Sequence, residues 1–308
     1  MELPLVTSLF RSGAIKLGWG SALVGLGIPE SVAPGVFSPA GVQTGHQSEQ
    51  FYSTVIEGTT TGKISDQNKQ WFAEHGPDFL LDNIQAPTLI LQGTVDTLFT
   101  LDEAHANYEA LKDNGIPLKM MWFCGGHGVC LTETGGGSES VSGSDYVQHA
   151  RLAWFDRYLK RDTGVGTGPA FEWIDEDGEW HASDAYPLNQ VGVLKGDGSG
   201  QLPLTPASSA GSGVAVFASP SPISVTAPIE APQQPVHVLG APQLRLVYSG
   251  AASPQDTFVY AQIVDRSRNI VVNNLATPIP VALDGEQHEL ARPLERIASR
   301  STQAGYEL

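Results

Sequence analysis

The sequence predicts an α/β fold class: a parallel sheet packed by helices, preceded by a helical segment and followed by an antiparallel β-sandwich. Three observations predict it. Residues 88–123 read as strand, helix, strand with short connections, which implies parallel strands joined by a helical crossover. The runs Phe171–Ile174, Leu244–Tyr248 and Phe258–Val264 alternate apolar and polar residues or nearly so, the period of half-buried antiparallel strands. Hydrophobic residues make up 41% and charged residues 16% of the 308, with 34 glycines and 21 prolines. That balance fits a folded, turn-rich chain of one large or two smaller domains and excludes a disordered one.

Residues 1–80 show no clean period, and short apolar stretches such as Ala22–Leu26 alternate with Gly, Pro and Ser. They read as loops and short helices, with a helix opening at Ser65–Phe72. Thr88–Leu91 is a short apolar run, typical of a strand buried on both faces. Thr100-Leu101-Asp102-Glu103 fits a capping box. Leu101, Ala104, Tyr108 and Leu111 then form one helical stripe, and Asn114-Gly115 with Pro117 beyond ends it. Leu118–Phe123 is the second strand. A helix follows over Asp145–Lys160, with Val147, Ala150, Leu152, Trp154, Phe155 and Leu159 giving it a broad buried face. After the glycine-rich stretch 163–168 the character changes. Phe171–Ile174 and Glu179–His181 flank the turn Asp175-Glu176-Asp177-Gly178, a hairpin with a solvated acidic tip. Residues 199–236 are rich in Gly, Ser, Pro and Ala. Strands return at 244–248 and 258–264 with polar turns between, and the chain closes without an evident last strand, so the sandwich reads as incomplete. The units are 1–80, 81–162 and 163–308, with no internal repeat.

The formal net charge of −16 argues against nucleic acid or an anionic membrane as main partner. No apolar run approaches the roughly 20 residues of a membrane span. Met1-Glu2-Leu3-Pro4 opens without a basic n-region or an h-region, so no signal peptide is read. The two cysteines, Cys124 and Cys130, fit either a local bridge or two reduced thiols.

Two residues carry the chemistry. Asp96 follows the strand 88–91 through the turn at Gly93, and His127 follows the strand 118–123 in Gly125-Gly126-His127-Gly128. An acid after one strand and a histidine after the next is the second half of a serine hydrolase triad in the order Ser, Asp, His. Loops at the C-terminal ends of adjacent parallel strands can bring such groups together. The first half, a G-x-S-x-G elbow, appears nowhere. Ser21 lacks the glycine two residues on, and Ser138 and Ser140 fall in a loop after His127. Gly135–Gly137 lacks the Lys and Ser/Thr of a phosphate loop. His46, His75, His105, His149, His181, His237 and His288 show no metal-ligand spacing, and His105 is expected on an exposed helix face. Trp122, Trp154, Trp173 and Trp180 read as core or interface residues.

Thr88 to Phe99, followed by Gly125 to Gly128, resembles the acid and histidine segments of the X-prolyl dipeptidyl-peptidase and cocaine-esterase-like hydrolases. Trp154–Lys160, Gly178-Glu179-Trp180 and Tyr186-Pro187 resemble that family's passage into a C-terminal jelly roll. The resemblance covers roughly residues 65–265. It implies the C-terminal part of an α/β-hydrolase sheet with a cap over 1–80 and an incomplete jelly roll, with Asp96 and His127 as triad acid and base. It further implies ester, amide or peptide substrates, including peptides with a penultimate proline, and no cofactor. The nucleophile and oxyanion segments of the family precede the cap and are not in this sequence. Two other readings stay open: a non-catalytic β-sandwich that binds carbohydrate or a protein, and an enzyme completed by a separate chain that carries the serine. Half a sheet would also expose a strand edge, so self-association is expected.

Overall fold

A computed structural model describes residues 10–32, 48–130, 144–189, 192–204, 216, 218–301 and 304–308. The helical segment opens on a two-strand hairpin, β1 (Phe10–Arg11) and β2 (Ala14–Ile15), and continues as α1 (Leu17–Val32), α2 (Glu49–Thr61) and α3 (Asp66–Glu74). Ser48 and Ser65 cap the last two: their hydroxyls accept from the N–H of Phe51 at 3.1 Å and of Asn68 at 3.4 Å. Glu49 and Asp66 add negative charge to the first turns, where the helix dipole favours it. Ile64 and Phe72 bury against Leu98, a residue of the loop that carries Asp96, with Trp19 and Phe51 at the margin. Lys16 Nζ donates to the Leu98 carbonyl at 2.8 Å. The helical segment is therefore fastened to the loop that bears the predicted acid.

The sheet has the order β3-β4-β5-β6, from β3 (Thr88–Gly93), β4 (Leu118–Phe123), β5 (Phe171–Ile174) and β6 (Trp180–Ser183). β3 pairs parallel to β4, β4 parallel to β5, and β5 antiparallel to β6. Helix α4 (Leu101–Leu111) connects β3 to β4. Its predicted stripe is buried: Leu101 and Ala104 are each 1% exposed, and Leu111 is 3%. Truncating a leucine so placed costs about 2–5 kcal/mol. The capping box does not form. Thr100 Oγ1 donates instead to Glu295 Oε2 at 2.9 Å, and the Thr100 carbonyl accepts from the Glu103 N–H. A distant carboxylate buried beside the hydroxyl outcompetes the local amide.

β4 is buried on both faces, with Met120, Met121 and Trp122 at 0% exposure. β3 is only half-buried, contrary to the expectation for Thr88–Leu91, because it is the edge of the sheet among the described residues. The hairpin β5–β6 extends this sheet, although its sequence pattern groups it with the sandwich. α5 (Ser144–Tyr158) also departs from expectation. Trp154 is buried, but Leu152, Phe155 and Leu159 are 46–74% exposed. At 100° per residue these three share one side of the helix and Trp154 the other. Across β4 and β5, Lys119 and Glu172 form a buried ion pair. Lys119 Nζ also donates to the Thr167 carbonyl, and Tyr146 Oη donates to Glu172.

The C-terminal part consists of antiparallel sheets. β7 (Val236–Gly240) pairs with β12 (Ile297–Ser301). β8 (Gln243–Ala261) pairs with β11 (Thr277–Pro293). β9 (Val264–Asp265) lies between β10 (Ile270–Val271) and β13 (Tyr306–Glu307). Leu244, Leu246 and Tyr248 alternate inward and meet Ile279, Val281, Leu283 and Tyr306 in one core. Two expectations fail here. The runs 244–248 and 258–264 are not separated by a turn: β8 continues through Gly250–Asp256, and β11 follows it with register shifts between Ala282 and Gln287. The chain also ends in a strand, since Tyr306–Glu307 pairs with β9.

Sheet and sandwich share a core, in which Ala298 and Leu239 pack with Leu101, Trp122, Phe171 and Trp173. Arg296 bonds Asp102 Oδ1 at 3.2 Å and Tyr186 Oη at 2.9 Å across the junction. Trp122, Trp154 and Trp173 are buried, and Trp180 stacks on Tyr146. His105 is half-buried against Tyr186 rather than exposed, with ring centroids 5.7 Å apart. Among the described residues no helix is long and apolar enough to cross a membrane.

Candidate active site

Asp96 and His127 meet. His127 Nδ1 lies 2.9 Å from Asp96 Oδ2 and 3.1 Å from Oδ1. The parallel register of β3 and β4 sets this up, since Gly93 lies opposite Phe123 and the Thr94 N–H reaches the Phe123 carbonyl. The two loops therefore leave the same end of the sheet side by side. Close approach needs bare backbone. Gly126 has φ +98°, and a Cβ there would fall 2.6 Å from the Asp96 carboxylate. A Cβ on Gly128 would overlap the Val95 carbonyl at 1.8 Å.

Asp96 is buried, at 5% exposure, and fully engaged. Oδ1 also accepts from the N–H of Leu98 at 3.0 Å and of Phe99 at 2.7 Å. These bonds fix the carboxylate plane toward the imidazole. The His127 side chain is 45% exposed. With Nδ1–H held by the acid, Nε2 is the nitrogen left for a nucleophile or water, the division of roles that a triad requires.

The ring has two aromatic neighbours that sequence reasoning missed. Trp19 from α1 and Phe99 each approach it edge-on at 5.5 Å. The Trp19 indole N–H donates to Thr97 Oγ1 at 3.0 Å, and that hydroxyl donates to the His127 carbonyl at 3.3 Å. Phe99 and Thr97 betray themselves only by standing next to Asp96, and Trp19 by nothing in its own surroundings. Ser21 is exposed and lies about 200° around α1 from Trp19, so it faces away from the ring. Among the described residues no serine hydroxyl bonds His127 Nε2. Ser138, Ser140 and Gly135–Gly137 lie outside the described residues.

Cys124 and Cys130 are bridged, with Cα atoms 5.8 Å apart, and the bridge closes the loop that carries His127. Its far end is bound to the sandwich side: the Val129 carbonyl accepts from Asn274 Nδ2 at 3.0 Å, and the Val129 N–H donates to the Val216 carbonyl.

A second Asp–His pair stands in the hairpin turn. His181 Nε2 lies 2.9 Å from Asp175 Oδ2. The acidic tip is solvated only in part: Asp177 is exposed, but Asp175 is 6% exposed, and Glu176 accepts from Ser299 Oγ at 2.5 Å and the Arg300 N–H at 2.8 Å. Burial pushes Asp175 up, but the His181 bond and the N–H groups of Glu179 and Asp177 outweigh it and hold the carboxyl below its ordinary range. Burial, then the neighbouring His181, lowers the pKa of His237.

Among solved structures the chain resembles two of a CocE/NonD family hydrolase from Staphylococcus aureus. They superpose with TM-scores of 0.51 and 0.50 at 12% identity, over 99% of this chain and 56% of theirs. This chain thus shares the fold of slightly more than half of that hydrolase. No protein-family model matches the sequence, and no curated protein matches it.

Proposed function

We propose that this chain carries the acid and base of a serine hydrolase that cleaves ester or amide bonds, X-prolyl peptide-like amides among them. In this reading residues 1–80 are the cap, 81–162 the C-terminal part of the hydrolase sheet and 163–308 the sandwich. The nucleophile comes from a segment outside this sequence. One observation carries the reading: the bond between Asp96 and Nδ1 of His127, which, among the described residues, leaves Nε2 to serve as the base. The fold of a CocE/NonD family hydrolase, matched over 56% of its length, supports it.

His127 Nε2 takes the serine proton as Oγ bonds to the substrate carbonyl carbon. The tetrahedral intermediate collapses when the imidazolium gives that proton to the leaving alcohol or amine. Water, deprotonated by Nε2, then bonds to the acyl carbon, and the imidazolium returns the proton to Oγ as the carbon–Oγ bond breaks, which releases the acid and restores the serine. Asp96 holds the ring tautomer and stabilises the imidazolium in both halves. The edge of β3, which has no partner strand among the described residues, and the exposed Leu152 and Phe155 of α5, with Leu159 just beyond its end, fit a surface that such a segment, or a second copy of the chain, would cover.

The test begins with the coding DNA upstream of Met1 and expression of the longest in-frame product. That product should react with a fluorophosphonate probe at a serine outside residues 1–308. It should hydrolyse p-nitrophenyl acetate, and His127→Ala should abolish turnover. Equal turnover by the His127→Ala variant sinks the proposal, as does hydrolysis by residues 1–308 alone that is indifferent to that change.

A further inference from the structure

The hairpin tip and the first described strand of the sandwich bring together three side chains that the proposed hydrolysis does not use. Asp175 directly follows β5, His181 lies on β6, and His237 lies on β7. One ligand-type atom from each lies within 4.8 Å of the other two. The His181 and His237 rings are 4.1 Å apart by centroid. From this convergence we infer that Asp175, His181 and His237 bind a divalent transition-metal ion of the Zn2+ type, which clamps the sheet's hairpin to the sandwich.

Two imidazole nitrogens and one carboxylate oxygen are a donor set that Zn2+ takes with water in the fourth position. Tetrahedral ligands at about 2.0–2.1 Å stand about 3.3 Å apart. The present 2.9 Å between Asp175 Oδ2 and His181 Nε2 therefore needs only a small opening. The ion would take the place of the proton now shared by those two atoms. The supporting contacts are built. Asp175 Oδ1 accepts from the N–H of Asp177 and Glu179, each at 3.0 Å, so the carboxylate is oriented while Oδ2 faces the rings. Trp173 stacks on His181 at 5.4 Å and meets His237 edge-on at 5.7 Å. Its indole N–H lies 3.5 Å from His237 Nδ1, the outer limit of a hydrogen bond, so coordination gives up little there. The His181 side chain is 31% exposed, which leaves an entry path. The turn adds Glu176, Asp177 and Glu179 to the local negative charge, and Arg300 is engaged by Asp177. A metal-ligand pattern is absent from the sequence because His237 is 56 positions from His181 and on another sheet.

The test uses the full chain stripped with a chelator and titrated with Zn2+, and it is independent of hydrolysis. One ion per chain should bind and raise the thermal midpoint. His181→Gln and His237→Gln should each weaken binding about 100-fold or more, whereas His127→Gln and His288→Gln should leave it unchanged. X-ray absorption of the zinc-loaded wild type should show two imidazoles and oxygen, and this decides the matter if a variant fails to fold. Absence of stoichiometric binding at about 100 μM Zn2+, retention of the ion in both ligand variants, or its loss in His127→Gln would each overturn the inference.

Discussion

Two aspartate–histidine pairs in this protein have the same contact distance, 2.9 Å from carboxylate to ring nitrogen, and different company. Asp96 holds His127 by Nδ1 and leaves Nε2, with aromatic edges beside the ring. Asp175 holds His181 by Nε2, with a second imidazole alongside. A third pair, Asp284 and His288, has the same distance on the surface of β11, with the face of Tyr248 stacked on the ring and, among the described residues, no second imidazole beside it. The lesson is that the distance does not define a site. What defines it is the nitrogen left over and what stands next to it.

The sharpest way to break this contrast is to remove each acid in turn. In the nucleophile-bearing protein, Asp96→Asn should cut kcat about 10⁴-fold, the cost of the wrong imidazole tautomer, and Asp175→Asn should leave it nearly unchanged. Comparable losses in an ester-hydrolysis assay would show that the two pairs do not differ as described. Next in size is the buried pair beneath both sites. Lys119 lies on the strand that leads to His127, and Glu172 on the strand that leads to Asp175. Lys119→Ala leaves Glu172 buried without its cation and should cost about 3–5 kcal/mol by urea denaturation. A loss below about 1 kcal/mol would mean that water reaches the pair.

A smaller change should separate the two sites. Gly126→Ala forces an L-residue to φ +98° against the Asp96 carboxylate and should cost about 1–3 kcal/mol. It should also displace His127 while leaving the chemical shifts of His181 untouched. The smallest effect concerns a histidine whose acidic neighbour, Glu109, is outweighed. Burial, helped by the Arg296 charge, pushes the pKa of His105 from 6.5 down to about 4. The folded value lies below the unfolded one, so the unfolded chain takes up the proton first as pH falls. Stability should therefore decline from about pH 6.5 to about pH 4 and gain no further loss from this group below that. Allowing for the solvent that still reaches the ring, the contribution is about 1–2 kcal/mol. His105→Gln should flatten that part of the pH–stability curve, and an unchanged slope would place the acid sensitivity elsewhere.

The Asp96 site was legible because its determinants are local. Each residue follows a strand recognisable by its apolar run, and parallel neighbours end on the same side. The helix between them was equally plain, since Leu101, Ala104, Tyr108 and Leu111 are spaced by the turn itself. The second cluster was illegible for the opposite reason, being assembled by docking β7 beside β6 across a gap in sequence. Thr100 shows the same limit at small scale: its neighbours predict a helix cap, and a glutamate 195 residues away claims the hydroxyl. α5 errs in the other direction. Its apolar side is written for burial, but the described residues supply no surface to receive Leu152, Phe155 and Leu159.

The closed loop around His127 has a mechanical consequence. One end of it hangs from β4 and the other is tied through Val129 to Asn274 of the sandwich. The imidazole is thus strung between two layers like a bead on a short taut cord, with little slack to absorb relative movement. Any tilt of the sandwich against the sheet is passed to the ring, and a reductant that opens the Cys124–Cys130 link would slacken the cord without touching either layer.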